Sequence, residues 1–334
     1  MPLSIGLVYD LKEDYLRAGL SPEQVMEFDS EETITGIAEG LASLGHGVDR
    51  VGRGVELARR LASGERWDLV FNIAEGVAGR SREAQVPAVC ELFDQAYTFA
   101  DPLTCALTLD KAMAKRVVRD LGLPTAPFGL VRRVEDVAAL EPGYPVFAKP
   151  VAEGSSKGVT ASSLARTAGE LAAVCRELLS SFSQPVLVER YLPGRELTVG
   201  VVGNGAKVRA IGVMEVLITS GEETHAYTAL NKDEYLERVT YRLVENEPLF
   251  ERARAVALAA YLGLGCRDGA RVDLRCDEHG EPNFLEANPL PGLHHVRSDL
   301  PIMARLAGHD FRTLLSWIVD AAVERNFPYR RTSV

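Results

Sequence analysis

Two segments near the C-terminal end, Arg271-Val-Asp-Leu274 and Asn283-Phe-Leu-Glu-Ala-Asn-Pro-Leu-Pro-Gly292, constrain this chain more than any others. Read as two adjacent strands, they place Asp273, Glu286 and Asn288 on one face, because alternate side chains along a strand point the same way. Arg271, two residues before Asp273, shares that face. An all-oxygen donor set suits a hard cation such as Mg²⁺, which usually also binds substrate phosphates. A second pattern indicates where phosphates sit. Phe147-Ala-Lys-Pro150 is followed by Glu153-Gly-Ser-Ser-Lys-Gly158, a strand and then a glycine-rich loop. Backbone N–H groups of such a loop can cradle phosphate oxygens, with glycines permitting close approach. The two patterns together imply a nucleotide-dependent enzyme.

Length and composition bound the alternatives. At 334 residues the chain holds about two to three domains of ordinary size. A formal net charge of -10 speaks against a general nucleic-acid or membrane-surface role. Five cysteines, none in a C-x-x-C pair, argue for free thiols and not a disulfide framework. The first strand, Ile5 to Tyr9, lacks the basic flank of a signal peptide, and no apolar run approaches the ~20 residues of a membrane span. A reducing cytoplasm is the expected compartment.

The first hundred residues alternate strand and helix, as in an open α/β sheet whose ligands sit beyond the carboxyl ends of the strands. Strands are expected at Ile5 to Tyr9, Val48 to Val51 and Asp68 to Ile73, and Asn72-Ile-Ala-Glu-Gly76 falls at such an end. A helix over Thr33 to Leu44 is capped by Asp29 or Ser30. Further helices are expected over Leu109 to Leu121, Ala168 to Leu179 and Leu249 to Leu262. Val146 to Lys149 is a strand with Val159 to Ala161 as its hairpin partner. From Glu196 onward the chain is strand-rich. The implied division is 1–103, 104–190 and 191–330.

Five segments in this order resemble the ATP-grasp superfamily and, within it, the D-alanine–D-alanine ligase branch. They are Leu109-Asp-Lys111, Phe147-Ala-Lys-Pro…Glu-Gly-Ser-Ser-Lys-Gly158, Leu187-Val-Glu-Arg-Tyr-Leu-Pro-Gly-Arg-Glu196, Gly269-Ala-Arg-Val-Asp273 and Leu285-Glu-Ala-Asn-Pro-Leu-Pro-Gly292. The resemblance implies an ATP-grasp fold behind an N-terminal open α/β domain. It also implies a reaction: ATP phosphorylates a carboxylate, an amine attacks the acyl phosphate, and phosphate leaves a tetrahedral intermediate. By the same resemblance Lys111, Lys149, Glu153, Gly154, Ser155, Ser156 and Lys157 hold the ATP phosphates. Glu189 and Leu192 belong to the adenine-contacting hinge, and Glu196 to the ribose. Asp273, Glu286 and Asn288 hold two Mg²⁺ ions, with Mn²⁺ a possible substitute. Arg271, Gly292 and Ser156 serve the reacting groups, and Ser298 the second substrate's carboxylate. Bland readings stand beside these: a solvated strand-edge Lys149, a helix-surface Lys111, an ordinary turn at 154–158, a solvated Glu196, a structural ion-pair cluster around Asp273.

Three departures from the family pattern touch the amino-acid sites. The first strand runs into Tyr9-Asp10-Leu-Lys-Glu-Asp14, leaving Glu27, Asp29, Glu31 or Glu32 to anchor the first substrate's ammonium. The segment Leu293-His-His-Val-Arg-Ser298 is one residue longer than the family loop; it adds Arg297 as a carboxylate fork, with His294 and His295 as pocket polar residues. A covering loop between Gly221 and Tyr241 offers Tyr227 and Lys232 as candidates. The expectation is a ligase joining two amino acids, or an amino acid and a small amine, acting as a homodimer. A cell-wall D-alanine–D-alanine ligase, an ATP-binding protein without ligase activity, and a kinase-like enzyme that stops at phosphorylation are the alternatives.

Overall fold

The computed structural model describes residues 2–140, 143–218 and 239–327. A three-stranded parallel sheet opens the chain: β1 (Ser4–Val8), β2 (Gly47–Gly52) and β3 (Leu69–Asn72), in the order β2-β1-β3. β3 is wholly buried and β1 almost so, as expected of parallel strands covered by their crossover helices. The crossovers hold α1 (Lys12–Arg17), α2 (Glu31–Ser43) and α3 (Gly54–Ala62), and α4 (Gln85–Leu92) follows β3. α2 buries Ile34, Ile37 and Leu41, the stripe its spacing announces. Ser30 caps it by accepting from the Thr33 N–H at 3.4 Å, which decides between the two candidate caps.

Two helices then cross to the rest of the molecule, α5 (Pro102–Leu109) and α6 (Lys111–Asp120). Asp110 stands between them and caps α6 by accepting from the Met113 N–H at 3.0 Å. The second sheet is antiparallel, with β4 (Phe128–Val131), β5 (Val146–Pro150), β6 (Leu164–Ala165) and β7 (Val186–Arg190) in the order β4-β7-β5-β6. α7 (Ala168–Phe182) covers it. The hairpin partner of β5 is Leu164–Ala165, not Val159 to Ala161. The reason lies in the intervening loop. Ser155, Ser156 and Gly158 all have positive φ (46°, 59° and 73°), so the chain makes a wide turn and pairing resumes only at Leu164.

The third sheet is also antiparallel: β8 (Glu196–Val202), β9 (Arg209–Ile218), β10 (Val239–Leu243), β11 (Gly269–Cys276) and β12 (Pro282–Asn288), in the order β10-β9-β8-β11-β12. α8 (Pro248–Gly263) closes one face, where Ala270, Val272 and Leu274 meet Ala253, Ala257 and Tyr261. Arg271, Asp273 and Arg275 therefore point to the other face. α6 joins the two antiparallel sheets: Ala114 and Val118 lie in the third-sheet core, while Ala112 packs with Val151 and Leu187.

The last two helices, α9 (Asp299–Leu306) and α10 (Phe311–Asn326), return to the first core. Leu300, Leu314, Leu315 and Ile318 pack there with Ile34, Ile37 and Leu41. Gly40 permits this approach, since a Cβ there would lie 2.5 Å from Leu315 Cδ1. Asp268, fully buried, fastens the corner by accepting from the Phe99 N–H (2.8 Å), Asn204 Nδ2 (2.7 Å) and Arg325 Nη2 (2.7 Å).

Candidate functional site

The cleft between the second and third sheets collects most of the sequence-selected residues. Lys111, Lys149, Glu153, Ser156, Lys157, Glu189, Leu192, Glu196, Arg271, Asp273 and Glu286 line it together. β5 and β7 supply one wall. Lys149 and Glu189 sit on these neighbouring strands, and Lys149 Nζ lies 2.8 Å from Glu189 Oε1. The other oxygen of Glu189 lies 2.8 Å from Lys115 Nζ. Lys115 is fully buried and also donates to Thr125 Oγ1 (2.9 Å) and the Phe284 carbonyl (3.0 Å). Sequence reading missed this lysine, although it follows Lys111 by four residues and so shares its helix face.

The buried triad settles its own charges. Burial raises the pKa of Glu189, but the two lysines outweigh it and hold the carboxyl down at about 2. Burial opposes the charge on Lys149, and Glu189 more than compensates, leaving it above the ordinary lysine value. For Lys115 burial wins and the pKa falls. Two ammonium groups thus occupy the carboxylate of Glu189, a residue of the expected adenine-contacting hinge. On the opposite side Glu196 accepts from Arg275 (2.9 Å), whose guanidinium also donates to the Tyr191 hydroxyl (3.1 Å).

β11 and β12 form the floor. Asp273 is the register partner of Glu286, and Arg271 of Asn288. Arg271 forks onto Asp273 (Nε 3.0 Å, Nη2 2.9 Å) and reaches Asp299 at 2.8 Å. Thr198 and Asn288 also donate to Asp273, at 2.9 and 3.1 Å. Burial, and among the charges that of Glu286, push the Asp273 pKa up against the pull of Arg271. Two carboxylates and an amide oxygen that share one face, the carboxylates repelling each other, make a donor set that fits a hard divalent cation.

The glycine-rich loop closes the near side. Lys111 Nζ donates to the Glu153 carbonyl at 2.5 Å and lies 3.4 Å from Glu286 Oε2. Lys157 Nζ pairs with Glu153 Oε2 at 2.7 Å. The Gly154 N–H donates to Glu27 Oε1 (2.6 Å), and Arg82 holds the other oxygen of Glu27 (2.7 Å).

A second cavity adjoins the first and shares Lys111, Glu153, Arg271, Glu286 and Asp299 with it. Its own lining includes Gly154, Ser155, Asn288, Gly292, Arg297 and Ser298. Ser298 caps this end, its Oγ accepting from the His294 N–H at 3.0 Å, and a Cβ on Gly292 would lie 2.9 Å from that oxygen. Of the four carboxylates expected to anchor the first substrate, Glu27 and Asp29 line the cavity. Glu31 turns away to Arg50 at 2.7 Å, and Glu32 lies 3.4 Å from Arg297. Glu75 and Glu83, which sequence reading did not select, line the cavity as well. Glu75 belongs to the expected strand-end segment 72–76; nothing in the local pattern around Glu83 marks it. The candidates Tyr227 and Lys232 lie outside the described residues.

Comparison with known proteins identifies the family. The family model described as "D-ala D-ala ligase C-terminus" matches residues 117–320. The D-alanine–D-alanine ligase of Sinorhizobium fredii is 32% identical over 312 residues, 92% of this chain and 96% of that protein. This chain belongs to the D-alanine–D-alanine ligase family. Members of the family are ATP-dependent, ADP-forming carbon–nitrogen ligases. An uncharacterised protein of S. fredii, y4sG, is 34% identical over 264 residues, 78% of this chain and 76% of that one. The crystal structure of the D-alanine–D-alanine ligase from Bacillus anthracis superposes with a TM-score of 0.74 over 97% of this chain and 98% of the other, at 20% identity. The fold is therefore the ATP-grasp fold. No helix among the described residues is long and apolar enough to cross a membrane.

Proposed function

We propose that this family member joins two amino acids, or an amino acid and a small amine, with ATP in the first cavity and the amino-acid substrates in the second. One observation carries the reading: the two cavities meet along a wall made of Lys111, Arg271, Glu286 and Asp299. A phosphoryl group presented by the nucleotide and a carboxylate held next door can face each other across that wall, which is the geometry phosphoryl transfer requires.

Each residue then has a physical task. Lys149 and Lys111 present fixed ammonium charge to the phosphates. Glu189 keeps Lys149 charged and in place, and adenine recognition passes to the backbone of Glu189–Leu192. The N–H groups of residues 154–158 cradle the terminal phosphates, with Ser155 and Ser156 adding hydroxyl donors. Glu196 faces the ribose. Asp273, Glu286 and Asn288 would hold Mg²⁺, and bound there it would neutralise phosphate charge and align the transferring group. Arg271 offers its planar fork to the acyl phosphate and to the oxyanion that forms when the amine attacks, with the Gly292 N–H as a second donor. Ser298 and Arg297 receive the acceptor's carboxylate. Catalysis comes from positioning and fixed positive charge, with no general base among these roles. The buried free thiols suit a reducing cytoplasm, and the family resemblance alone suggests a homodimer.

The test is ADP release coupled to product mass, with Mg²⁺-ATP and D- and L-amino acids singly and in pairs. A new amide equimolar with ADP supports the reading. A phosphorylated acceptor without an amide, or ATP binding without turnover on any pair, overturns it. D-Alanyl-D-alanine from D-alanine alone identifies a cell-wall ligase. Replacing Arg271 by Lys removes the fork and keeps the charge; kcat is expected to fall by roughly 10²–10³-fold, the loss typical of one oxyanion donor.

A further inference from the structure

The second cavity, about 230 Å³, carries more negative charge than one α-ammonium needs. Among the described residues, seven carboxylates and three cationic side chains line it. Four of the carboxylates have cations: Glu27 on Arg82, Glu153 on Lys157, Glu286 on Lys111 and Asp299 on Arg271. Asp29, Glu75 and Glu83 have no ion-pair partner among the described residues.

Glu83 gives this imbalance a direction. It is only 9% exposed, lines the cavity, and has no hydrogen-bond partner among the described residues. A buried carboxylate without a partner is costly unless something supplies the opposite charge. Its neighbour Arg82 is already engaged, donating to Glu27 and to the Ala152 carbonyl at 2.9 Å. Glu75, beyond the end of β3, adds a second charge. Burial and then the charge of Glu83 push Glu75 well above the ordinary carboxyl range, and burial lifts Glu83 to about 7. Among the described residues no three His, Cys, Asp or Glu are grouped closely enough to hold a metal ion.

We propose that the first substrate carries a second cationic group besides its α-ammonium, a diamino or guanidino amino acid, with that group seated on Glu75 and Glu83. The inference rests on the ligase reading for the orientation: carboxylate toward Arg271 and Gly292, side chain toward the acidic end. One carboxylate, Asp29 or Glu83, takes the α-ammonium, and the remaining charge selects for the second cation. A neutral amino acid of the same length leaves these buried carboxylates unpaired, which is how a polar site rejects an apolar analogue.

Calorimetry with the Mg²⁺-ADP-loaded protein compares ornithine, 2,4-diaminobutyrate and arginine with the neutral isostere norvaline, each in both configurations. At least one cationic amino acid is expected to bind ten times tighter than norvaline or more. Glu75→Gln and Glu83→Gln are each expected to cut that preference at least fivefold while the Kd of ADP stays unchanged. Norvaline binding as tightly as every cationic amino acid overturns the proposal, and so does a preference that survives both substitutions. The ADP-release assay separates the two readings. Amides formed only from neutral amino acids sink the cationic site and leave the ligase standing. Cation-selective binding without an amide from any pair sinks the ligase and leaves the site.

Discussion

Glu189 is held between two buried lysines, and its removal leaves both without a counter-charge. Replacing it with Gln is expected to cost about 3–5 kcal/mol, the range for breaking a buried ion pair, read as a lower urea midpoint at unchanged m-value. Its pH signature follows from its depressed pKa. A carboxyl at about 2 in the fold and 4.5 ordinarily stabilises the protein above pH 4.5 and loses that contribution as pH falls toward 2. Glu83 has the opposite sign. Its folded pKa of about 7 lies above the ordinary 4.5, so its contribution is complete below 4.5 and is lost as pH rises through 7. Glu83→Gln in the substrate-free protein is therefore expected to gain up to about 3 kcal/mol at pH 8 and almost nothing at pH 4, measured by urea unfolding at the two values. A destabilising residue kept at the cavity proposed for substrate is a common trade of stability for function.

At the scale of elements, the loop from Glu153 to Gly158 tolerates little change. Gly158 has φ of 73°, and a Cβ there would lie 2.7 Å from Pro150 Cγ and 2.8 Å from Phe182 Cε2. Gly158→Ala is expected to cost roughly 1–3 kcal/mol and to raise the KM for ATP several-fold, since both strain and overpacking act on the proposed phosphate cradle. Melting temperature and ADP-release kinetics check the two effects separately. Much of this was legible from sequence, because strand alternation is local: Arg271 and Asp273 must share a face whatever surrounds them. The same holds for the helical stripe of α2. What escaped depends on distant segments meeting. Lys115 gains its meaning from Glu189, 74 residues away by numbering. Glu83 is a site residue only because the 82–84 turn and β12 border one cavity. The hairpin partner of β5 was misplaced because backbone φ values at two serines do not show in a residue pattern.

Across the whole molecule, Asp268 links three distant pieces of chain through Phe99, Asn204 and Arg325. Asp268→Ala leaves the buried Phe99 N–H without its acceptor and the Arg325 guanidinium without its carboxylate, with the Tyr97 and Phe99 carbonyls remaining to it. A loss of about 3–5 kcal/mol is expected, with a melting temperature lowered by several degrees in calorimetry. The packing of α9 and α10 on α2 has an effect on biosynthesis. Leu314, Leu315 and Ile318, which seal the core of the first sheet, are translated more than 270 residues after Ile34, Ile37 and Leu41. Until then Ile34, Ile37 and Leu41 lack that part of their cover, and a nascent chain with such apolar surface is a client for holding chaperones. The core of the first sheet is thus finished only after the two sheets that follow it have been made.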